Sequence, residues 1–414
     1  MKIIALTCGA PPESLETLPL ERLRCEGDPL KPDQVARLAI DALEAPLGLP
    51  PLSLCVTPDD RVAIALGHGT PAAGALVAGV IASLAAAGID RKNITVVTAN
   101  PRDAAPLEDE LTQDVAAGVA IESHDPSGDD ALCFAGLGKG DRTLLVNRTL
   151  FEADVVLPLS AEATTGDVAA TDDAGGAYDG LFPDFFDRDT IDRFRKVRTV
   201  NDATLGDGRQ SARRAEADQA GWLVGAPLVL RAVPGPGGGV ARVLAGDPRQ
   251  VVAEASSVSR RAWETPLVEP ADCVLAIVSG GADQQTWASL GRALAAAERV
   301  ARSGAVIAVW SELAEPIGEK LACLAEGDDP YELAAALAAE SGDEALAAWR
   351  VLQALDRGPV FLHSRLDPDD IESLGMAPVA NAEEMHRLVS RFDACILLEE
   401  AQHVLFVSDG VVIE

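Results

Sequence analysis

Short apolar runs alternate along the chain with longer alanine-rich segments whose apolar positions recur at helical spacing. Arg61-Val62-Ala63-Ile64-Ala65-Leu66 reads as a strand, and Pro71 to Ala87 as a helix opened by a Thr70 cap and a first-turn proline. After turn residues from Asp90 to Asn93, the β-branched run Ile94-Thr95-Val96-Val97-Thr98 reads as the next strand. A second unit comprises the strand Cys273 to Val278, the helix Gln285 to Arg302 and the strand Ala305 to Val309. A third runs from Val360-Phe361-Leu362 through helical segments at Asp369 to Leu374 and Ala382 to Ser390 to the strand Ala394 to Leu398. Strand–helix–strand succession of this kind predicts parallel sheets covered by helices. The expected fold class is α/β, with two α/β domains at residues 1–266 and 267–414 and a functional cleft between them. Their boundary falls near Glu264 to Pro270, where prolines flank a short polar connection.

Two stretches depart from the alternation. Thr164 to Asp189 is rich in Gly, Asp and Thr without a clear period, and loops of that length in compact domains are usually functional or mobile. Pro234-Gly235-Pro236-Gly237-Gly238-Gly239 reads as a hairpin turn between apolar runs.

Composition narrows the function classes. A hydrophobic fraction of 48% in 414 residues supplies ample core and excludes disorder as the main state. With 34 Lys+Arg against 65 Asp+Glu the net charge is -31, which argues against nucleic acid and anionic membrane surfaces as partners. The apolar start is too short for a signal segment, which needs roughly 7–15 apolar residues. The alanine-rich stretch Ala72 to Gly88 reads as a buried helix and not as a span. The seven cysteines, Cys8, Cys25, Cys55, Cys133, Cys273, Cys323 and Cys395, are scattered singly, so neither a disulfide framework nor a cysteine zinc site is expected. Reduced, mostly buried thiols in a cytoplasmic protein are the expectation.

Candidate chemistry is sparse, with five histidines. His68 lies in Gly67-His68-Gly69-Thr70-Pro71, between a strand and a helix, where open α/β sheets bind ligands and backbone N–H groups favour anions. The same residues also read as a plain turn before a proline-started helix. His124 lies in Ser123-His124-Asp125-Pro126, a turn context in which Asp125 could orient the ring; His363, His386 and His403 have no partners at metal-like spacing. Gly136-Leu137-Gly138-Lys139-Gly140-Asp141 lacks Walker spacing and reads as a hairpin turn. Gly280-Gly281 follows a strand and precedes a helix, so its N–H groups could hold a carboxylate or phosphate. Asp172, Asp173, Asp179, Asp184, Asp187 and Asp189 do not match a calcium loop and read as a solvated acidic loop.

In order and spacing these pieces resemble the nickel-pincer-dependent lactate racemase family over most of the chain. Arg61 to Asn100 looks like that family's opening βαβ unit, which ends its first strand in Asp-x-Thr-Arg-Pro. Glu108-Asp109-Glu110-Leu111 resembles the helix after its Gly-Thr-His-Arg motif. Ser123-His124-Asp125, Gly136-Leu137-Gly138 and Val146-Asn147-Arg148 through Asp154 resemble the next segment, and Ala174-Gly175-Gly176-Ala177 with Pro183 its Ser-Gly-Gly-x-Lys…Pro-Gly loop. Val243 to Asp247 and Gly280-Gly281…Arg292-Ala293-Leu294 resemble later landmarks. The resemblance implies a nickel-pincer nucleotide tethered to a lysine, nickel held by a histidine, hydride exchange with a 2-hydroxy acid, and two histidines as acid/base groups.

Carried across, these residues differ. The family's Asp and Arg fall on Gly67 and Thr70, with Pro71 retained; its Gly-Thr-His-Arg histidine falls on Asp103 and the arginine on Ala104. The tether lysine falls on or near Tyr178, which cannot form the amide, and no lysine lies between Lys139 and Lys196. No histidine lies between His124 and His363, while the substrate-side lysine becomes Arg292. The covalent nickel-pincer nucleotide is therefore expected to be absent, with no metal site predicted. One expectation is a divergent racemase, epimerase or related enzyme acting on a small 2-hydroxy or α-substituted acid, with His68, Asp103 and Tyr178 as acid/base groups. Thr70, Gly280, Gly281 and Arg292 would then bind the substrate. The other is a non-catalytic binding protein for a small acid or nucleotide on the same scaffold. Either way the expected partner is a small anionic ligand. A third, weaker expectation is non-covalent binding of the pincer cofactor, which the missing histidine ligand argues against.

Overall fold

The computed structural model describes residues 2–7, 13–23, 30–111, 117–138, 141–162, 176–197, 207–327 and 329–407. Cys8, Cys25, the Lys139-Gly140 tip and residues 163–175 of the Gly/Asp/Thr-rich loop, with Asp172, Asp173, Ala174 and Gly175, lie outside them.

Two sheets organise the chain. The amino-terminal sheet has the order Val240–Gly246, Val229–Pro234, Val155–Ala161, Val62–Leu66, Ile94–Thr98, Ala120–Ser123. It is parallel except for the antiparallel edge pair Val240–Gly246 and Val229–Pro234. The carboxy-terminal sheet has the order Ala377–Pro378, Val360–His363, Ala301–Trp310, Ala271–Ile277, Ala394–Leu398, Lys2–Leu6, Glu13–Leu15, with only the last pair antiparallel. Central strands of such sheets have helices on both faces, so they are apolar throughout rather than alternating. Every residue of Val62–Leu66 is buried, as are Cys273 to Ile277.

The strands expected from the sequence are present at their places, and Pro234 to Gly239 does turn a hairpin. Gly136 to Gly138 likewise leads into the return strand of the antiparallel pair Leu132–Leu137 and Thr143–Asn147. Strand pairing crosses the linear division in two places. Lys2–Leu6 pairs in parallel with Ala394–Leu398, so the first residues of the chain lie in the carboxy-terminal sheet. Ile3 and Ala5 join its core with Cys273, Leu275 and Leu397, which explains the early apolar run. A second crossing pairs Glu264–Pro266 with Leu405–Val407.

The alanine-rich helix is Ala73–Ala86, buried along Leu76, Val77, Val80, Ile81 and Leu84. Its start differs from the expected cap. Ala72 is the N-cap residue, in a left-handed conformation, and the Thr70 hydroxyl donates backwards to the Gly67 carbonyl at 2.7 Å. Other helices carry side-chain caps: Asp187 on Thr190 N, Asp247 on Gln250 N and Thr286 on Ser289 N, each worth about 1 kcal/mol. No helix among the described residues is long and apolar enough to cross a membrane. Of the described cysteines, Cys273 and Cys395 are buried as expected, whereas Cys55 is exposed and Cys133 and Cys323 are half-buried; all are unpaired thiols.

The two halves are joined at several points. Lys196 bridges Ser341, and Val197 N donates to Glu340 O at 3.0 Å. The hairpin turn docks by its backbone: Gly238 sits against Gly280, and Gly237 N–H donates to the Glu400 carboxylate. Beside it the Trp263 ring lies 4.6 Å from that of His403, whose burial holds its pKa down at about 3.

Candidate functional site

His68 and Asp103 stand at the carboxyl ends of adjacent parallel strands, Val62–Leu66 and Ile94–Thr98. The first strand ends where Gly67 N donates to Leu159 O at 2.8 Å, and the following turn carries His68 outward. Past the second strand, Asn100 accepts from Arg102 N and caps the short turn Pro101–Asp103, which aims Asp103 back across the strand ends. His68 Nδ1 lies 2.8 Å from one Asp103 oxygen and 3.1 Å from the other. The separate motifs of the sequence are thus brought into one imidazole–carboxylate pair.

The carboxy-terminal half approaches this pair from the other side. Asp343, at the start of the helix Asp343–Arg357, places Oδ2 4.0 Å from His68 Nε2. Arg102 Nη1 meets Glu315 at 2.9 Å, and Glu315 also accepts from Trp287 N, so the loop bearing Asp103 is tied to the opposing helix start. Partial burial works against a charged imidazole. The Asp103 hydrogen bond and the charges of Asp343, Asp103 and Asp184 outweigh it and raise the His68 pKa to about 9. Near neutral pH, His68 is therefore an imidazolium, a proton donor and a cation.

Partial desolvation opposes the charge on the half-exposed Asp343, but His68, Arg195, Arg292 and Arg350 overcome it and hold its pKa below the usual carboxylate range. Arg292 and His68 thus both act on Asp343, and the Arg292 guanidinium is steadied by Ser289 Oγ at 3.0 Å. Arg195 is clamped by Asp184 through contacts of 2.7 to 3.0 Å, which with Asp179 raise its pKa. The segment holding this pair is anchored by aromatic packing: Phe182 meets Phe186 and Phe194 edge-on, with centroids 4.9 and 4.7 Å apart.

The other candidates lie elsewhere. The Tyr178 hydroxyl donates to Ala226 O at 3.1 Å, and its ring covers Gly221. Its charged neighbours are Asp218, Asp247 and Arg249, whereas His68 faces Asp103, Asp343 and Asp184. Thr70 is buried with its hydroxyl engaged by Gly67 O. At Gly280-Gly281, Gly280 O accepts from Gln285 and Gly281 O from Gln284 N, and Gly280 is covered by Gly238. His124 is buried between Phe186 O, at 2.8 Å from Nε2, and the Asn147 amide. His363 stacks on Trp310 at 3.7 Å.

Sequence reading did not single out Asp343, Arg195 or Arg350, and placed Asp184 only in an acidic loop. The available signal was the Leu181 to Phe186 cluster, an aromatic concentration in an aromatic-poor chain that marks a rigid support. Asp343 carries no local signal, because its role depends on how the halves meet. A further polar node lies at the end of the strand Val155–Ala161. Arg231, 2% exposed, donates to Ser160 at 2.8 Å and to Ala161 O and Gly176 O at 3.2 Å, and its Nε has no partner among the described residues.

The donor set does not fit a tethered nickel-pincer nucleotide. There is no lysine between Lys139 and Lys196, where the resemblance puts the tether, residues 163–175 contain neither lysine nor histidine, and the imidazoles of His124 and His363 are committed to interior contacts. No group of His, Cys, Asp and Glu suited to a metal ion occurs among the described residues.

Comparison with known proteins follows the same lines. Residues 19–161 match the lactate racemase N-terminal domain family. The structure of the lactate racemase apoprotein from Thermoanaerobacterium thermosaccharolyticum superposes with a TM-score of 0.72 at 15% identity, covering 99% of this chain and all of that one. A protein from Thermotoga maritima superposes with a TM-score of 0.65 at 12% identity, covering 93% of this chain and all of that one. No curated protein matches. Residues 19–161 thus carry the likeness to the lactate racemase N-terminal domain, and along nearly its whole length the chain has the lactate-racemase-like fold seen in the apoprotein.

Proposed function

We propose that the seam between the two sheets binds a small 2-hydroxy or other α-substituted acid, and that the His68–Asp103 pair moves a proton on that ligand without a tethered cofactor. The observation that carries this reading is the hydrogen bond of His68 to Asp103 at adjoining strand ends, facing a charge cluster from the other half. Asp103 fixes the ring and stabilises its charged form, leaving the Nε2 N–H directed towards the seam. Removing a proton next to a carboxylate places negative charge on the carboxylate oxygens. The proton passes to the neutral form of His68, and the imidazolium so formed, with Arg292, stabilises that charge most effectively in a partly dehydrated site.

The high His68 pKa also favours a second reading, in which the same cations bind the acid without turnover, because an imidazolium is a poor proton acceptor. Deuterium wash-in separates the two. In D2O, a proton-transfer enzyme exchanges the α-hydrogen of a small 2-hydroxy acid, followed by proton NMR. His68→Ala and Asp103→Ala are then expected to lower the exchange rate at least ~100-fold, the usual scale of a lost acid/base group. Binding without wash-in leaves the second reading, and wash-in unchanged by both substitutions overturns the role of the pair.

A further inference from the structure

Asp343 differs in setting from the other carboxylates of the seam. Asp184 is locked onto Arg195 by short contacts, and Asp103 bonds directly to His68. Asp343 is positioned instead through the residues just before it. Gly342 N donates to Arg195 O at 3.2 Å, Ser341 Oγ to Asp192 O at 3.2 Å, and Val197 N to Glu340 O at 3.0 Å. These bonds fix the start of the Asp343–Arg357 helix against the amino-terminal half. The Asp343 side chain remains 54% exposed, and its ion pair with His68 is long at 4.0 Å.

The cations whose charges act on that carboxylate come from separate elements of both halves, with His68 in ion-pair range at 4.0 Å. His68 follows the strand Val62–Leu66, Arg195 ends the helix Arg188–Arg195, and Arg292 lies on Trp287–Val300. Arg350 sits on the Asp343 helix itself, packed over Gly291, where an added Cβ would lie 3.3 Å from its Cδ. A separation of 4.0 Å leaves room for a shorter contact, since charge-assisted N–H···O bonds are about 2.7–2.9 Å long.

We propose that Asp343 is a resident carboxylate occupying the anion site at the seam, and that a ligand carboxylate binds by taking its place among His68, Arg195 and Arg292. The inference rests on the reading of the seam as a small-acid site and adds an intramolecular competitor to it. Exposed ion pairs are weak, so the competitor lowers affinity without abolishing binding.

The test is calorimetric titration of the full chain at neutral pH and low ionic strength, with L-lactate and inorganic sulfate as probes. Asp343→Asn is expected to bind about tenfold more tightly than wild type, a change of about 1.4 kcal/mol. Asp343→Glu, which keeps the charge and also controls for helix-start packing, is expected to bind as wild type does. Unchanged or weaker anion binding by folded Asp343→Asn overturns the proposal. If wild type binds lactate through His68 while Asp343→Asn gains nothing, only the competitor falls. If Asp343→Asn gains affinity for sulfate but no form binds lactate, the competitor stands and the small-acid reading falls. Binding of neither probe by any form overturns both.

Discussion

Two turns in this chain have the same local grammar and opposite uses. Gly67-His68-Gly69 and Gly280-Gly281 each follow a buried parallel strand and precede a helix, the position where α/β sheets take ligands. Around His68 the turn opens onto a seam, and the ring gathers Asp103 and Asp343. Around Gly280 the turn is closed, with the opposing hairpin lying on it and Gly237 N–H bonded to Glu400. A glycine-rich strand end therefore marks a place of close backbone approach. Whether a ligand or another part of the protein makes the approach depends on what faces it.

The largest expected effect tests the closed turn. Gly280 has φ +108°, and an added Cβ would lie 2.7 Å from Gln284 Cβ and 3.1 Å from Gly238 Cα. Gly280→Val combines an unfavourable backbone conformation with a clash that no flexible side-chain end can relieve. A loss of about 3 kcal/mol or more in denaturant unfolding is expected. A loss below about 1 kcal/mol would mean that the turn is not pressed against the hairpin.

The open turn predicts a smaller, pH-dependent effect. The folded His68 pKa of about 9 lies above its unfolded value near 6.5. Its charge therefore contributes stability in full below pH 6.5, and the contribution is lost as pH rises from 6.5 through about 9. Because the ring is partly open to solvent, screening limits this contribution to about 1 kcal/mol. Asp103→Asn removes the hydrogen bond and one charge, so the imidazole titration followed by NMR is expected to fall towards 6.5. The high-pH stability loss should shrink and begin at lower pH. A titration that stays near 9 in Asp103→Asn would assign the shift to Asp343 and Asp184 alone.

The same contrast explains what could be read from the chain. The sheets were legible because buried parallel strands are continuous apolar runs, as at Ile94–Thr98 and Ala394–Leu398, and their helices keep their period. His68 stood out by its strand-end turn and Asp103 through the family resemblance alone; that the two are neighbours follows from the pairing of their strands. Lys2–Leu6 gave no sign that it joins the distant sheet, since a short apolar strand pairs wherever an edge is open to it. Asp343 and Arg195 were not legible as site residues: both depend on the contact of Glu340 to Gly342 with Arg195 to Val197, a tertiary event with no local pattern.

Tyr178 marks the low end of the scale, and its substitution is informative because the expected change is small. Alignment to the tether position suggested a functional phenol. The structure instead gives the hydroxyl a carbonyl partner, Ala226 O, and packs the ring on Gly221 within the core that includes Phe185 and Val224. Burial, together with Asp218 and Asp247, raises its pKa, so it is a neutral hydrogen-bond donor at physiological pH. Tyr178→Phe keeps the ring and removes one hydrogen bond, leaving a carbonyl to find water or remain unpaired. The expected cost is about 1 kcal/mol in unfolding, with wash-in and anion affinity unchanged within twofold. A larger fall in either, at unaltered stability, would place the phenol at the seam after all. The tether position would then have kept a function with different chemistry, and His68–Asp103 would not act alone.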